Sequence, residues 1–101
     1  MNTANLQLEG VLMAMAALCR LMQEKGIAGD QEIDITLRLA EEMLATDKLR
    51  PEQLSQPNID ATLFPLRFLR EANRRNASGD SYAYSQIATA VGRARSPRKE
   101  V

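Results

Sequence analysis

The sequence predicts an all-α fold, a small bundle of about four helices with a basic C-terminal tail. Apolar residues recur at three- and four-residue spacing along most of the chain. No stretch alternates apolar and polar residues as a half-buried strand does. Turn-forming residues at Gly26–Gly29, Pro51–Pro57 and Gly79 separate the periodic segments. With 101 residues, 45% hydrophobic and 26% charged, the chain has the composition of a globular protein and room for one core. Residues 1–92 are expected to form one helical domain and residues 93–101 a flexible basic tail.

The first helix is predicted over about 5–25. Leu8, Val11, Leu12, Met15, Leu18, Cys19 and Met22 share one face. Met13, Ala14, Ala16, Ala17 and Leu21 carry the apolar surface most of the way round. A helix apolar on nearly all sides is buried on nearly all sides, so this one is either the central helix or part of a subunit interface, and the bundle is expected to have it at its centre. Gly26 is placed to end it in the left-handed conformation, with Ile27 folding back on Met22.

The second helix is predicted over 30–46, capped by Asp30, with Glu32 and Asp34 in the first turn where the helix dipole favours negative charge. Ile33, Leu37, Ala40 and Leu44 form its core stripe, with Leu39 and Met43 beside it. Asp34, Arg38 and Glu42 stand four apart on the outer face. The short link makes helices one and two an antiparallel hairpin. Pro51 to Leu54 fits a single helical turn. The third helix, 62–76, starts so that Pro65 falls in its first turn, and Leu66, Phe68, Leu69 and Ala72 face inward. The fourth, 82–92, carries Tyr84, Ile87, Ala88 and Val91 on its apolar side and stops at Gly92.

The chemistry of the side chains excludes more than it suggests. There is no histidine, which removes the commonest general base, the Ser-His and Cys-His pairs and most zinc patterns. The single cysteine, Cys19, forms no internal disulfide and falls in the first helix's core stripe, where it acts as a small hydrophobe. No glycine-rich phosphate loop is present, and Glu32, Asp34, Glu41 and Glu42 fall on a polar helix face rather than in a cleft. The expectation is a protein that is not an enzyme and carries no cofactor and no metal. The longest apolar run, Val11 to Cys19, has nine residues, short of the about 20 a membrane span needs, and no basic residue precedes it. These features predict a cytoplasmic protein without a membrane partner.

Net charge is zero but unevenly spread. Residues 1–60 hold five Lys/Arg against ten Asp/Glu, and residues 61–101 hold eight against three. Either the halves attract each other or the basic half is a binding surface. Arg67, Arg70 and Arg74 share one face of the third helix, and Arg93, Arg95, Arg98 and Lys99 make the tail basic. Such groups contact phosphates, or answer an acidic neighbour.

The segment Gly79–Arg98 reads GDSYAYSQIATAVGRARSPR. It resembles the start of the winged helix-turn-helix of O6-alkylguanine-DNA alkyltransferases and their alkyltransferase-like relatives. In that family a Gly precedes by five residues a Tyr that opens a helix with an Ile-Ala pair. The helix ends in Gly-Arg, and a further Ala and Arg follow on the DNA-contacting helix. The corresponding residues are Gly79, Tyr84, Ile87, Ala88, Gly92, Arg93 and Arg98, with Ser96 where Ala is usual. The resemblance covers 20 of 101 residues. The family's Pro-Cys-His-Arg active site is absent, so alkyl transfer is excluded and DNA contact is what the resemblance implies.

Two expectations follow. The first is a non-enzymatic interaction protein, a homodimer or a partner of another protein, self-associating through Val11, Met13, Met15 and Ala17. The alternative is a small DNA-binding regulatory protein contacting nucleic acid through Arg67, Arg70, Arg74, Arg93, Arg95 and Arg98.

Overall fold

The computed structural model describes residues 3–47, 56–80 and 82–94. These form four helices: α1 (Thr3–Glu24), α2 (Asp30–Ala45), α3 (Gln56–Ser78) and α4 (Tyr84–Ala94). No strand occurs among the described residues. The all-α expectation holds, and the residues of the basic tail from Arg95 onward lie outside the described ones, as does the turn expected at Pro51 to Leu54.

The central helix is α3, not α1. Helices α1, α2 and α4 all pack on α3, whereas α1 and α2 touch each other only marginally despite the short turn between them. The main core joins Leu12 and Ala16 of α1, Phe68, Leu69 and Ala72 of α3, and Ile87 and Val91 of α4. Phe68 and Ile87 are fully buried. The Phe68 ring packs against Tyr84 at a centroid separation of 5.0 Å and against Phe64 at 6.0 Å. The second helix buries Ile33 and sets Leu37 against the core edge. The sequence expectation put α1 at the centre because it is the most apolar helix, but α3 has the length and the mixed faces to serve three neighbours at once.

Helix ends follow from local chemistry. Gly26 and Gly79 have φ of 71° and 78°, the left-handed region that a side chain makes costly. After α1, Ile27 N–H donates to the Met22 carbonyl at 2.9 Å and Gly26 N–H to Gln23 at 3.1 Å. After α3, Asp80 N–H donates to Arg75 at 3.0 Å and Gly79 N–H to Asn76 at 3.1 Å. Both are the paired six-to-one and five-to-two bonds of a Schellman closure. The Ile27 side chain stays exposed, so only the backbone folds back as expected.

Four boundaries differ from the sequence reading. The cap of α2 is Gly29, and Asp30 is the first helical residue, acting on the dipole rather than as a cap. Helix α3 begins at Gln56, six residues early, so the first-turn proline is Pro57 and Pro65 lies inside the helix. Pro65 has no N–H for the Ala61 carbonyl, a cost of about 3 kcal/mol, and burial of Leu63, Phe68, Leu69 and Ala72 on both sides of it offsets that cost. Helix α4 continues through Gly92 to Ala94. It opens at Tyr84, two residues later than expected, and the Gln86 side chain accepts from the Ala83 N–H at 2.7 Å.

Candidate interaction surface

Helix α1 buries only Leu12, Ala16 and Cys19. These stand at i, i+4 and i+7, one narrow stripe turned to α3. Between Gly10 and Leu18 most of the remaining circumference faces outward and is apolar, with the exposed Arg20–Glu24 ion pair beyond it. Val11, Ala14, Met15, Ala17, Leu18 and Leu21 are all exposed, Val11 at 57% and Leu18 at 54%. No acidic or basic residue of the Asp, Glu, Lys or Arg type interrupts the helix between Glu9 and Arg20. Of the expected self-association residues, Val11, Met15 and Ala17 lie on this outer surface. Met13 does not: it is half-buried and packs against the core, so it reports on stability rather than on the surface. Leu18, expected on the core face with Leu12 and Cys19, and Leu21, expected on the broader apolar surface, belong with the outer group. A second, narrower apolar row on α2 comprises Ile35, Leu39 and Met43 at i, i+4 and i+8, all exposed.

The arginine row of α3 has a different fate. Arg67 Nε donates to Glu41 Oε2 at 2.8 Å and Nη1 to Asp60 Oδ1 at 3.3 Å. Arg70 Nε donates to Asp34 Oδ1 at 2.9 Å and Nη1 to Glu41 Oε1 at 3.1 Å. Glu71 accepts from Arg75 Nε at 2.8 Å and pairs with Arg74. Of these pairs, Arg67–Glu41, Arg70–Asp34 and Arg70–Glu41 cross from α3 to α2 and form the seam that fastens the two helices, whereas Asp60 and Glu71 pair with arginines of their own helix. The hydrogen bond to Glu41 raises Arg67 above its ordinary pKa, and that to Asp34 raises Arg70. Burial alone would raise the Glu71 carboxyl, but the bonds from Arg75 and Arg74 outweigh it and hold the group below its ordinary value. Asp34 and Glu41 had been read as solvated. Their seven-residue spacing puts them on one side of α2, matching the three-residue spacing of Arg67 and Arg70, which is the signal that the composition of the face concealed.

An open groove of about 840 Å³ runs along this seam between α2 and α4. Four carboxylates line it, Asp30, Asp34, Glu41 and Glu71, against three arginines. A phosphate entering there meets guanidiniums already hydrogen-bonded and an excess of negative charge. Arg93 is exposed on α4, while Arg95 and Arg98 lie outside the described residues, as do Ser96 and the helix that would enter DNA in the resemblance.

Asn73 is the buried polar residue of α3 at 2% exposure. Its Nδ2 donates to the Asp30 carbonyl at 2.8 Å, and its Oδ1 accepts from Gln23 Nε2. One side chain therefore ties the end of α1 and the start of α2 to α3. Burial pushes the Cys19 thiol above its ordinary pKa. Among the described residues no group of three or more His, Cys, Asp or Glu side chains is placed to hold a metal ion. None of the described helices is long and apolar enough to cross a membrane.

No protein-family model matches the chain, and no curated protein or solved structure matches it either.

Proposed function

We propose that the protein is a non-enzymatic interaction protein whose function is exerted as a self-associated form, a two-fold homodimer joined through the outer face of α1. The observation that carries this reading is the contrast between the two sides of α1. Its inner stripe satisfies α3, yet its outer side exposes Val11, Met15, Leu18 and Leu21 around the small residues Ala14 and Ala17. Contiguous exposed apolar surface of this kind marks interaction sites in proteins that remain in solution.

A second copy is the occupant that the surface suits best. Between Glu9 and Arg20 the outer face has no charge to exclude its own image, and a two-fold pair uses the same patch on both chains. Fully burying a large aliphatic side chain returns about 1.5–3 kcal/mol. Four such residues per copy, each already about half covered, return roughly 6–12 kcal/mol per dimer on that scale. Association costs about 4–15 kcal/mol, so the face supports a dimer whose population depends on concentration. Static light scattering over a hundredfold dilution tests this. The mass is expected to fall from that of two chains toward one, and a single-chain mass at the highest concentration would refute it.

The nucleic-acid reading has less to stand on, because Arg67, Arg70 and Arg74 each already hold a carboxylate.

A further inference from the structure

A groove of about 510 Å³ opens where the first half of α1 meets α3 and α4. Leu8 and Glu9 of α1, Asp60, Phe64 and Arg67 of α3, and Tyr84 of α4 line it. Small-molecule sites span about 300–1,000 Å³ and are mostly apolar with a few polar groups. This groove has that make-up, including two half-buried aromatic rings, Phe64 and Tyr84.

The charges of these residues do not balance. Arg67 and Asp60 pair with each other at 3.3 Å, and Arg67 also holds Glu41. Glu9 is half-buried and has no hydrogen bond or ion pair among the described residues. It lies roughly 160–180° round the helix from Val11 and Leu18, so it is turned away from the outer face of α1. Burial raises the Tyr84 hydroxyl above its ordinary pKa, and the charge of Glu9 raises it further. That hydroxyl therefore stays protonated at neutral pH and can still accept a hydrogen bond.

The imbalance selects the ligand. A neutral apolar molecule filling the groove would take Glu9 out of water and leave it unpaired, which is costly. An anion would meet the Glu9 charge, while the guanidinium of Arg67 is already held by two carboxylates. A cation gains a charge-assisted bond to Glu9, and its apolar body lies against aromatic rings, whose faces attract positive charge.

We infer that the groove between α1, α3 and α4 is a binding site for a small organic cation, a protonated amine on an aromatic or aliphatic body, with Glu9 as its counter-ion. The site is separate from the self-association face of α1 and does not depend on it.

The test follows backbone amide NMR shifts of the full chain during titration with phenylethylammonium. Phenylethanol and phenylpropionate serve as the neutral and anionic probes of similar shape. The ammonium ion is expected to bind in the millimolar range or tighter, with the largest shifts around Glu9, Phe64 and Tyr84, and at least tenfold more tightly than either other probe. Glu9→Gln is expected to remove that preference, while Leu18→Glu leaves the affinity within twofold. The three-probe comparison on the wild type does not depend on how well the Glu9→Gln protein folds. Equal binding of the three probes, unchanged affinity in Glu9→Gln, shifts centred elsewhere, or no binding at tens of millimolar would each overturn the proposal. It is likewise overturned if the ammonium ion binds only after Arg95, Arg98 and Lys99 are replaced by Gln, since the chain's own basic residues would then be the occupant.

Discussion

Arg67 Nε lies 2.8 Å from Glu41 Oε2 across the contact between α3 and α2. Glu41 uses its other oxygen for Arg70 at 3.1 Å, so one carboxylate bridges two guanidiniums. Its side chain is 15% exposed. Replacing it by Gln removes charge from both bonds and leaves two arginines facing each other. Glu41→Gln is expected to cost about 2–3 kcal/mol. Urea denaturation should show this as a lower midpoint with an unchanged slope. A change below about 0.5 kcal/mol would mean that the seam is held by apolar contact alone, in the range of an exposed ion pair.

The acid limb of stability should depend on Glu71. Its folded pKa is lowered, so its contribution is fully present above the ordinary glutamate value of about 4.3 and is lost as pH falls through the depressed folded value. The raised values of Arg67 and Arg70 act in the opposite sense: their contribution is complete at every pH below the ordinary arginine range and is lost only as pH rises through the folded values. With no histidine in the chain, no titration step is expected near pH 6.5. Thermal melts from pH 2 to 8 should show a plateau and then an acid fall, and Glu71→Gln should flatten that fall.

Asn73→Ala removes a donor from the Asp30 carbonyl and an acceptor from Gln23. The expected loss is about 1–3 kcal/mol. Hydrogen exchange should quicken first in the turn from Lys25 to Gly29, because this side chain fastens both helices there. Protection in that turn matching the wild type would argue against the tether.

Cys19 should be inert in the native protein. It is 7% exposed and burial raises its thiol pKa, both of which suppress the thiolate that reacts. Labelling by an aromatic disulfide reagent at pH 8 is expected only on unfolding. Rapid native labelling would show that α1 detaches from α3 on the time scale of the assay.

Much of this was legible in the sequence. The helix count and the Gly26 closure followed from periodicity and turn chemistry, because those are local, whereas α4 begins at Tyr84 rather than at the expected Tyr82. The expectation that α1 is the central helix fails, because α3 takes the centre. What sequence could not supply was the partner of each face. Glu41 reads as a solvated acid until Arg67 is brought across from a distant helix. Asn73 reads as a polar end until the α1–α2 turn closes over it. Pro65 reads as a start signal because the packing that tolerates it mid-helix is tertiary.

The central claim is that the outer face of α1 joins two chains. Leu18 is its midpoint, 54% exposed and outside the core. Sedimentation velocity of the wild type and Leu18→Glu at equal concentration, with circular dichroism melts on both, tests it directly. The account predicts a dimer for the wild type and a monomer for the variant, with melting of the monomeric helices preserved. Equal sedimentation of the two proteins, whether as monomers or as dimers, would contradict it.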